Sequence, residues 1–279
     1  KYIRITDISE TSNKVIPNPL TSPDGDLEDK YKLKKGDIVF ARTGASTGKT
    51  YLYDDNDRNL YFAGFLIKFH IDNADPKFIF YNTLKEEYLN WVSVMSVRSG
   101  QPGINSNEYK KLPIILPSLD EQNKISNFLT SIDKKIDLLE RKHQFYQEFK
   151  KFLMQQIFTQ KLRFNFTDDW NYMNFSEIFK SVSTKKYQIK SADILDKGDF
   201  EVIDQGQDEI AGYFNDKTKL CQELPIIIYG DHTTFVKFRD KPFIVGADGV
   251  KLLIPKFNAN PKYLFYALEH FNIKPEGYK

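Results

Sequence analysis

Two stretches of this chain repeat each other in the same order, and a chain that carries one unit twice is constrained to build two cores. Phe78-Ile79-Phe80-Tyr81 follows Asp75-Pro76-Lys77, and Tyr263-Leu264-Phe265-Tyr266 follows Asn260-Pro261-Lys262 at the same offset. Just upstream, Phe62 to Phe69 answers to Phe243 to Leu253, and Asp37-Ile38-Val39-Phe40 answers to Ile226-Ile227-Ile228-Tyr229. A period of about 185 residues is far too long for a solenoid, so it reads as a duplicated domain with a connector. The length of 279 residues agrees, because single cores stop growing near that size.

Within each copy, short β-branched and aromatic runs are broken by Gly, Pro, Asn and Asp and then followed by a helix pattern. An early strand is expected over Tyr2 to Ile8, and helices over Pro76 to Tyr88 and Pro261 to Phe271. The fold class is therefore α/β in the broad α+β sense, two related mixed domains. A 41% hydrophobic and 15% aromatic composition supplies apolar surface for both and lies outside the disordered range. The single cysteine, Cys221, excludes an intramolecular disulfide and a cysteine-based zinc cluster, and suits a reducing compartment. No apolar run is long enough to cross a bilayer, and Lys1-Tyr2-Ile3-Arg4 has no apolar signal core, so a cytoplasmic setting is expected.

Between the copies, residues 119–160 contain neither Gly nor Pro. Ser118 with Glu121 three residues later forms a capping box, and Pro117 ends the extended segment before it. Ile125, Leu129, Ile132, Ile136, Leu139, His143, Tyr146, Lys150, Leu153 and Ile157 then fall at alternating four- and three-residue steps, a heptad seam. About forty residues at 1.5 Å each give a rod of about 60 Å. Such a helix either packs on its own domains or pairs with another long helix in a coiled coil. Deleting one residue within it rotates everything after it by about 100°. The expected domains are 1–118, the helix 119–160, and 161–279.

Pro117-Ser118-Leu119-Asp120-Glu121-Gln122-Asn123-Lys124-Ile125 resembles the opening of the conserved helix in specificity subunits of type I restriction–modification enzymes, with Ser118 in place of the usual second proline. Ser99-Gly100-Gln101-Pro102-Gly103-Ile104-Asn105 is similar to the segment that closes a target-recognition domain in that family. Ile203-Asp204-Gln205-Gly206-Gln207, Ile210-Ala211-Gly212-Tyr213, Gly230-Asp231-His232-Thr233 and Val245-Gly246-Ala247-Asp248-Gly249 are similar to a common class of these domains. The resemblance implies two target-recognition domains, each reading half of a split site on double-stranded DNA, with conserved helices fixing the gap between them. It implies two modification subunits, which carry S-adenosylmethionine and methylate adenine, and a restriction and motor subunit using ATP and Mg. It assigns no cofactor to this chain. The early start without Met, and a second copy that stops where the first continues through Ser99, lead us to expect a longer natural protein lacking here its first segment and its second conserved helix.

Chemical alternatives are weaker. Gly44-Ala45-Ser46-Thr47-Gly48-Lys49-Thr50 is one residue short of a phosphate-binding loop, and Tyr51-Leu52-Tyr53 behind it reads as a strand where that loop needs a helix. Asp24, Glu28 and Lys30 suggest a nuclease site, but they fall in a turn-rich loop around Pro23-Asp24-Gly25-Asp26. His232 lacks a second histidine or spaced acidic ligands, and no metal site is expected. An amino-methyltransferase motif and a glycine-rich cofactor loop are missing, so a non-catalytic chain is expected. The remaining rival is a scaffold or interaction module that does not bind DNA. The charge of +2 and pI near 8.3 permit nucleic-acid binding without requiring it.

Base readout uses Arg or Lys toward guanine and Asn or Gln toward adenine. The loops offer Arg42, Thr43, Lys49, Arg98, Gln101 and Asn105 in the first copy, and Gln205, Gln207, Tyr213, His232, Thr233 and Lys237 in the second. Some of these would touch only phosphates. Asp231 and Thr233 could equally stabilise their own turn, and Tyr213 could stack on a base or simply pack.

Overall fold

The computed structural model describes residues 1–16, 20–22, 27–54, 57, 59–246, 248–256 and 259–271. The chain divides into two units, Lys1–Glu140 and Arg141–Lys279. Of the residues considered as a nuclease site, Asp24 lies outside the described residues, as does Ala247, while Glu28 and Lys30 form an exposed ion pair with each other at 2.7 Å.

The first unit runs β1 (Tyr2–Ile3), β2 (Asp37–Ala41), β3 (Thr50–Leu52), β4 (Tyr61–Phe62), β5 (Leu66–His70), α1 (Pro76–Asn82), α2 (Glu86–Met95), α3 (Ser106–Tyr109) and the start of α4 (Leu119–Phe158). Strand β2 is buried at all its residues and lies between β3 and β5, antiparallel to both, with Ala41 opposite Leu66 and Asp37 opposite His70. Its side chains alternate between two cores, as the two-residue period of a strand requires. Val39 and Ala41 pack with Ile3, Tyr51 and Leu66, whereas Ile38 and Phe40 pack with Phe78, Tyr88, Val92 and Tyr109 from the helices. β1 pairs in parallel with β4.

Two expected elements end early. The strand over Tyr2 to Ile8 stops at Ile3, and Ile5–Asp7 form a 3-10 turn. The buried Asp7 carboxylate collects the Arg4 backbone N–H at 2.9 Å and its guanidinium at 3.0 and 2.9 Å, which closes a local ring in place of a ladder. The helix over Pro76 to Tyr88 breaks at Thr83 into α1 and α2. Thr83 is buried, donates to the Phe80 carbonyl at 2.7 Å and shares a 2.7 Å hydrogen bond with the Thr50 hydroxyl, so its side chain competes with the helix ladder.

The second unit continues with the remainder of α4, then α5 (Phe175–Ile178), β6 (Phe179–Val182), β7 (Phe200–Ile203), β8 (Gly212–Phe214), β9 (Ile226–Gly230), β10 (Val236–Arg239), β11 (Ile244–Val245), β12 (Val250–Pro255) and α6 (Pro261–Phe271). One sheet has the order β10-β9-β12-β6 and another β11-β7-β8. The duplication is visible bond by bond. β9 stands where β2 does, with Gly230 opposite Val250 as Ala41 is opposite Leu66. β7 runs parallel to β11 as β1 does to β4. The amide of Gly246 donates to Ile203 at 2.9 Å, and that of Ala63 to Ile3 at 3.1 Å. α6 begins at Pro261 behind the capping Asn260, and α1 at Pro76 behind the capping Asp75.

α4 is one helix of 40 residues. Against the first unit it presents a polar face. Gln122 accepts from the Asp75 backbone at 3.0 Å, Ser126 is buried, and the Tyr81 hydroxyl reaches Thr130 at 3.2 Å and donates to Asp133 at 2.5 Å. Lys14 pairs with Asp137 at 2.5 Å. Within the second unit, Phe158 packs on Tyr263, His270 and Phe271, and Lys150 sits 3.2 Å from Glu269. Of the heptad seam, Leu129, Leu153 and Ile157 are half-buried, while Ile125, Ile132, Ile136, Leu139 and Tyr146 remain 37–55% exposed. Phe128, Phe145, Phe149 and Phe152, which the heptad reading passes over, are exposed too. The helix is thus seated on its own units without using up its apolar stripe.

Candidate nucleic-acid interface

In the first unit, the hairpin loop between β2 and β3 is not a phosphate-binding loop, because it leads into a strand as the sequence implies. It is bound instead to the segment after α2. Gly44 N–H donates to Pro102 at 2.9 Å, Ile104 N–H to Arg42 at 2.9 Å, and Thr43 bridges Gly103. Two buried tyrosines hold the loop ends from below: Tyr109 donates to the Ala41 carbonyl and Tyr88 to that of Gly48, each at 2.7 Å. Burial pushes both phenols well above the ordinary tyrosine range, so they stay protonated donors. Gly48 has a φ of +92°, and a Cβ there would come within 2.6 Å of Val92, so only glycine fits.

This construction gathers Arg42, Thr43, Gln101 and Asn105 on one rim. Arg42 and Gln101 are exposed, and among the described residues neither side chain has a hydrogen-bond partner. Asn105 caps α3 by accepting from the Asn107 and Glu108 amides at 2.9 and 3.1 Å. Arg98 holds both Glu108 oxygens at 2.6 Å, which fixes the rim but occupies its fork. Lys49 lies elsewhere. Its side chain is only 7% exposed, and its ammonium donates to the Ile8 carbonyl at 3.0 Å and to Glu10, tying the N-terminal segment to the hairpin.

In the second unit three loops converge on Gln205. Its Nε2 donates to the Asp248 carbonyl at 3.1 Å, its Oε1 accepts from the His232 amide at 3.3 Å, and its carbonyl accepts from the Thr233 hydroxyl at 2.6 Å. Gly249, at a φ of +80°, leaves the space that Gln205 fills. The Gln205 amide group and the Thr233 hydroxyl are therefore structural links. His232, whose amide joins this cluster, and Gln207, two residues beyond Gln205, are both exposed. Lys237 is 4% exposed and donates to the Asp208 carbonyl at 2.5 Å with Asp204 3.7 Å away. Burial drives its pKa down, against the pull of Asp204 and Glu209. Tyr213 is half-buried in β8 opposite Glu201, where its backbone also bridges Leu195. Sequence reasoning took lysines near turns as surface groups; the neighbouring carbonyls that bury Lys49 and Lys237 come from distant segments and leave no local signal.

A family model for the type I restriction modification DNA specificity domain matches residues 2–144 and 167–277. The type I restriction enzyme MjaVIII specificity subunit of Methanocaldococcus jannaschii is 29% identical over 136 residues, 47% of this chain and 32% of that protein. The HindI specificity subunit of Haemophilus influenzae is 28% identical over 134 residues, 46% of this chain and 29% of that protein. The alignments thus span about a third of the length of these relatives. The crystal structure of a type I restriction–modification S subunit from M. genitalium covers 93% of this chain, and this chain 73% of it, with a TM-score of 0.62 at 20% identity. A chain from a structure on complex assembly and conformational transition of a type I R-M system covers 97%, and is itself covered to 73%, with a TM-score of 0.51 at 17% identity. At these identities the two structures show a shared fold.

Proposed function

Since the chain belongs to the family of type I restriction–modification DNA specificity domains, we propose that it reads DNA sequence for such a complex, each of its two domains contacting one half of a bipartite, asymmetric site. The observation that carries this reading is the pairing of one backbone plan with two different rims. The loop after β2 presents Arg42 and its equivalent after β9 presents His232, while Gln101 and Gln207 come from segments the other copy does not match, so the two halves of the site differ. Arg42, Thr43 and Gln101 make the contacts of the first domain, with Asn105 and Arg98 holding their platform. Gln207 and His232 make those of the second, on a platform organised by Gln205 and Thr233, while Tyr213 packs. Lys49 and Lys237 act inside their domains.

In this reading the chain is a non-catalytic partner working in the cytoplasm. Two modification subunits bring S-adenosylmethionine, and the restriction and motor subunits bring ATP and Mg. The exposed apolar stripe of α4, from Ile125 to Tyr146, is the docking face for these partners. The test is methylome mapping with the gene present and deleted, alongside duplex binding by the assembled complex at rising salt. Loss of a split methylated motif on deletion, and affinity that falls steeply with salt as phosphate contacts release counterions, support the reading. An unchanged methylome together with salt-insensitive binding would favour a scaffold that does not touch DNA.

A further inference from the structure

The two domains share one rim hydrogen bond whose flanking side chains differ completely. In the first, the Arg42 amide donates to the Phe65 carbonyl at 3.1 Å; in the second, the Asp231 amide donates to the Gly249 carbonyl at 2.7 Å. The strand registers make these positions equivalent, because Leu66 lies opposite Ala41 and Val250 opposite Gly230. The same site on the fold therefore carries a cation beside an aromatic ring in one copy, and an anion beside no side chain in the other. The anion is satisfied within its own domain, with Lys251 3.2 Å from Asp231. Gly249 is backed by Gln205.

Phe65 has no such internal role. It is 67% exposed, it sits at the tip of the turn between β4 and β5, and among the described residues its ring packs against no other aromatic side chain. The ring belongs to neither core of its unit, and the strand register sets it on the rim opposite Arg42. Arg42, set opposite Phe65 by the strand register, is exposed and lacks an ion-pair partner among the described residues. A phosphate-rich, flat-edged ligand satisfies both groups at once. The cation takes a phosphate or a guanine edge, and the ring takes the methyl group of thymine or the face of an opened base step.

We propose that Phe65 is a specificity-determining residue of the first domain, making an apolar contact to a base, and that Arg42 beside it anchors the same position. This rests on the DNA-reading assignment above. The second domain, with Asp231 and Gly249, makes no counterpart contact, so the two half-sites differ at this position in kind as well as in sequence.

The experiment is selection and sequencing of bound duplexes from a random library by the assembled complex, comparing wild type, Phe65→Ala and Phe65→Leu. Because the side chain is exposed, thermal melting should be unchanged in both variants. The expected result is that Phe65→Ala relaxes the preference at one or two adjacent base pairs of one half-site by about tenfold, the scale of a single lost base contact. The other half-site should be untouched, and Phe65→Leu should recover part of the preference. If wild type selects a split motif and Phe65→Ala selects the same motif with equal stringency, the inference fails while the DNA-reading assignment stands. If Phe65→Ala instead prevents assembly with the modification subunits and leaves the motif intact, the ring is a protein contact and the inference fails. If wild type selects no motif, both fall.

Discussion

At the residue scale, burial separates lysines that look alike in the sequence. Lys49 stands in a Gly-Lys-Thr run that suggests phosphate binding, yet it is a tie between the 3-10 turn at the N-terminal end and the first hairpin. Replacing it with methionine keeps the stem packed but leaves the Ile8 carbonyl without its donor, a cost of about 2 kcal/mol for a buried charge-assisted hydrogen bond. Lys49→Met should therefore lower the urea midpoint of the purified protein while the selected DNA motif stays the same. An altered motif at wild-type stability would return Lys49 to the rim. Arg42 and Gln101 were legible as surface groups because Gly and Pro surround them, and the structure leaves them exposed. What the sequence concealed at this scale is the origin of the acceptors: Asp208 reaches Lys237 across 29 positions, and Ile8 reaches Lys49 across 41.

At the scale of elements, the long helix was legible in its length and start, since no helix breaker interrupts it and Ser118 caps it with a 3.3 Å bond from the Glu121 amide. Its seating was not. A search for apolar periodicity finds the stripe through Ile125, Ile132 and Leu139, but the contact with the first unit is made by Gln122, Ser126, Thr130, Asp133 and Asp137 on another face. Polar residues at three- and four-residue spacing look like solvent-facing residues until their partners are known. The Tyr81 hydroxyl carries the most testable of these contacts. Burial first, and the Asp133 carboxylate second, push its pKa up to about 12. An unfolded tyrosine ionises near pH 10. The contribution of this contact is thus whole below about pH 10 and is lost as pH rises from there toward 12. Tyr81→Phe should cost about 1–2 kcal/mol at neutral pH by removing a hydrogen bond to a charged acceptor. It should also flatten the decline of the urea midpoint above pH 10. A variant whose alkaline decline matches wild type would show that Tyr81 is not the group responsible.

For the whole molecule, the duplication was the most legible feature, because Pro-initiated helices and their preceding strands recur with their order intact. The equivalences it implied are met in hydrogen bonds, with Ala63 to Ile3 matched by Gly246 to Ile203. Loop content was less legible, since the first rim loop runs over residues 42–49 and its counterpart over 231–235, and no alignment of strands fixes what a loop does. Two domains with one backbone and independent rims predict modular reading. Exchanging residues 167–277 for the matching domain of another member of the family should change one half of the methylated motif and leave the other as it was. A change in both halves would mean that the rims are coupled.

The rim of the first unit also sets an order in time. Its hairpin loop is complete in sequence at Lys49, but the carbonyl and amide that bind it belong to Pro102 and Ile104. At a synthesis rate of about 5–20 residues per second, the loop waits about 3–11 s for its other half. Tyr88 and Tyr109, which grip the loop ends, arrive in the same late stretch. A nascent chain that ends before Pro102 would carry the strands of the domain with the hairpin loop still lacking its bonds to Pro102 and Ile104, so the rim closes after the sheet that supports it.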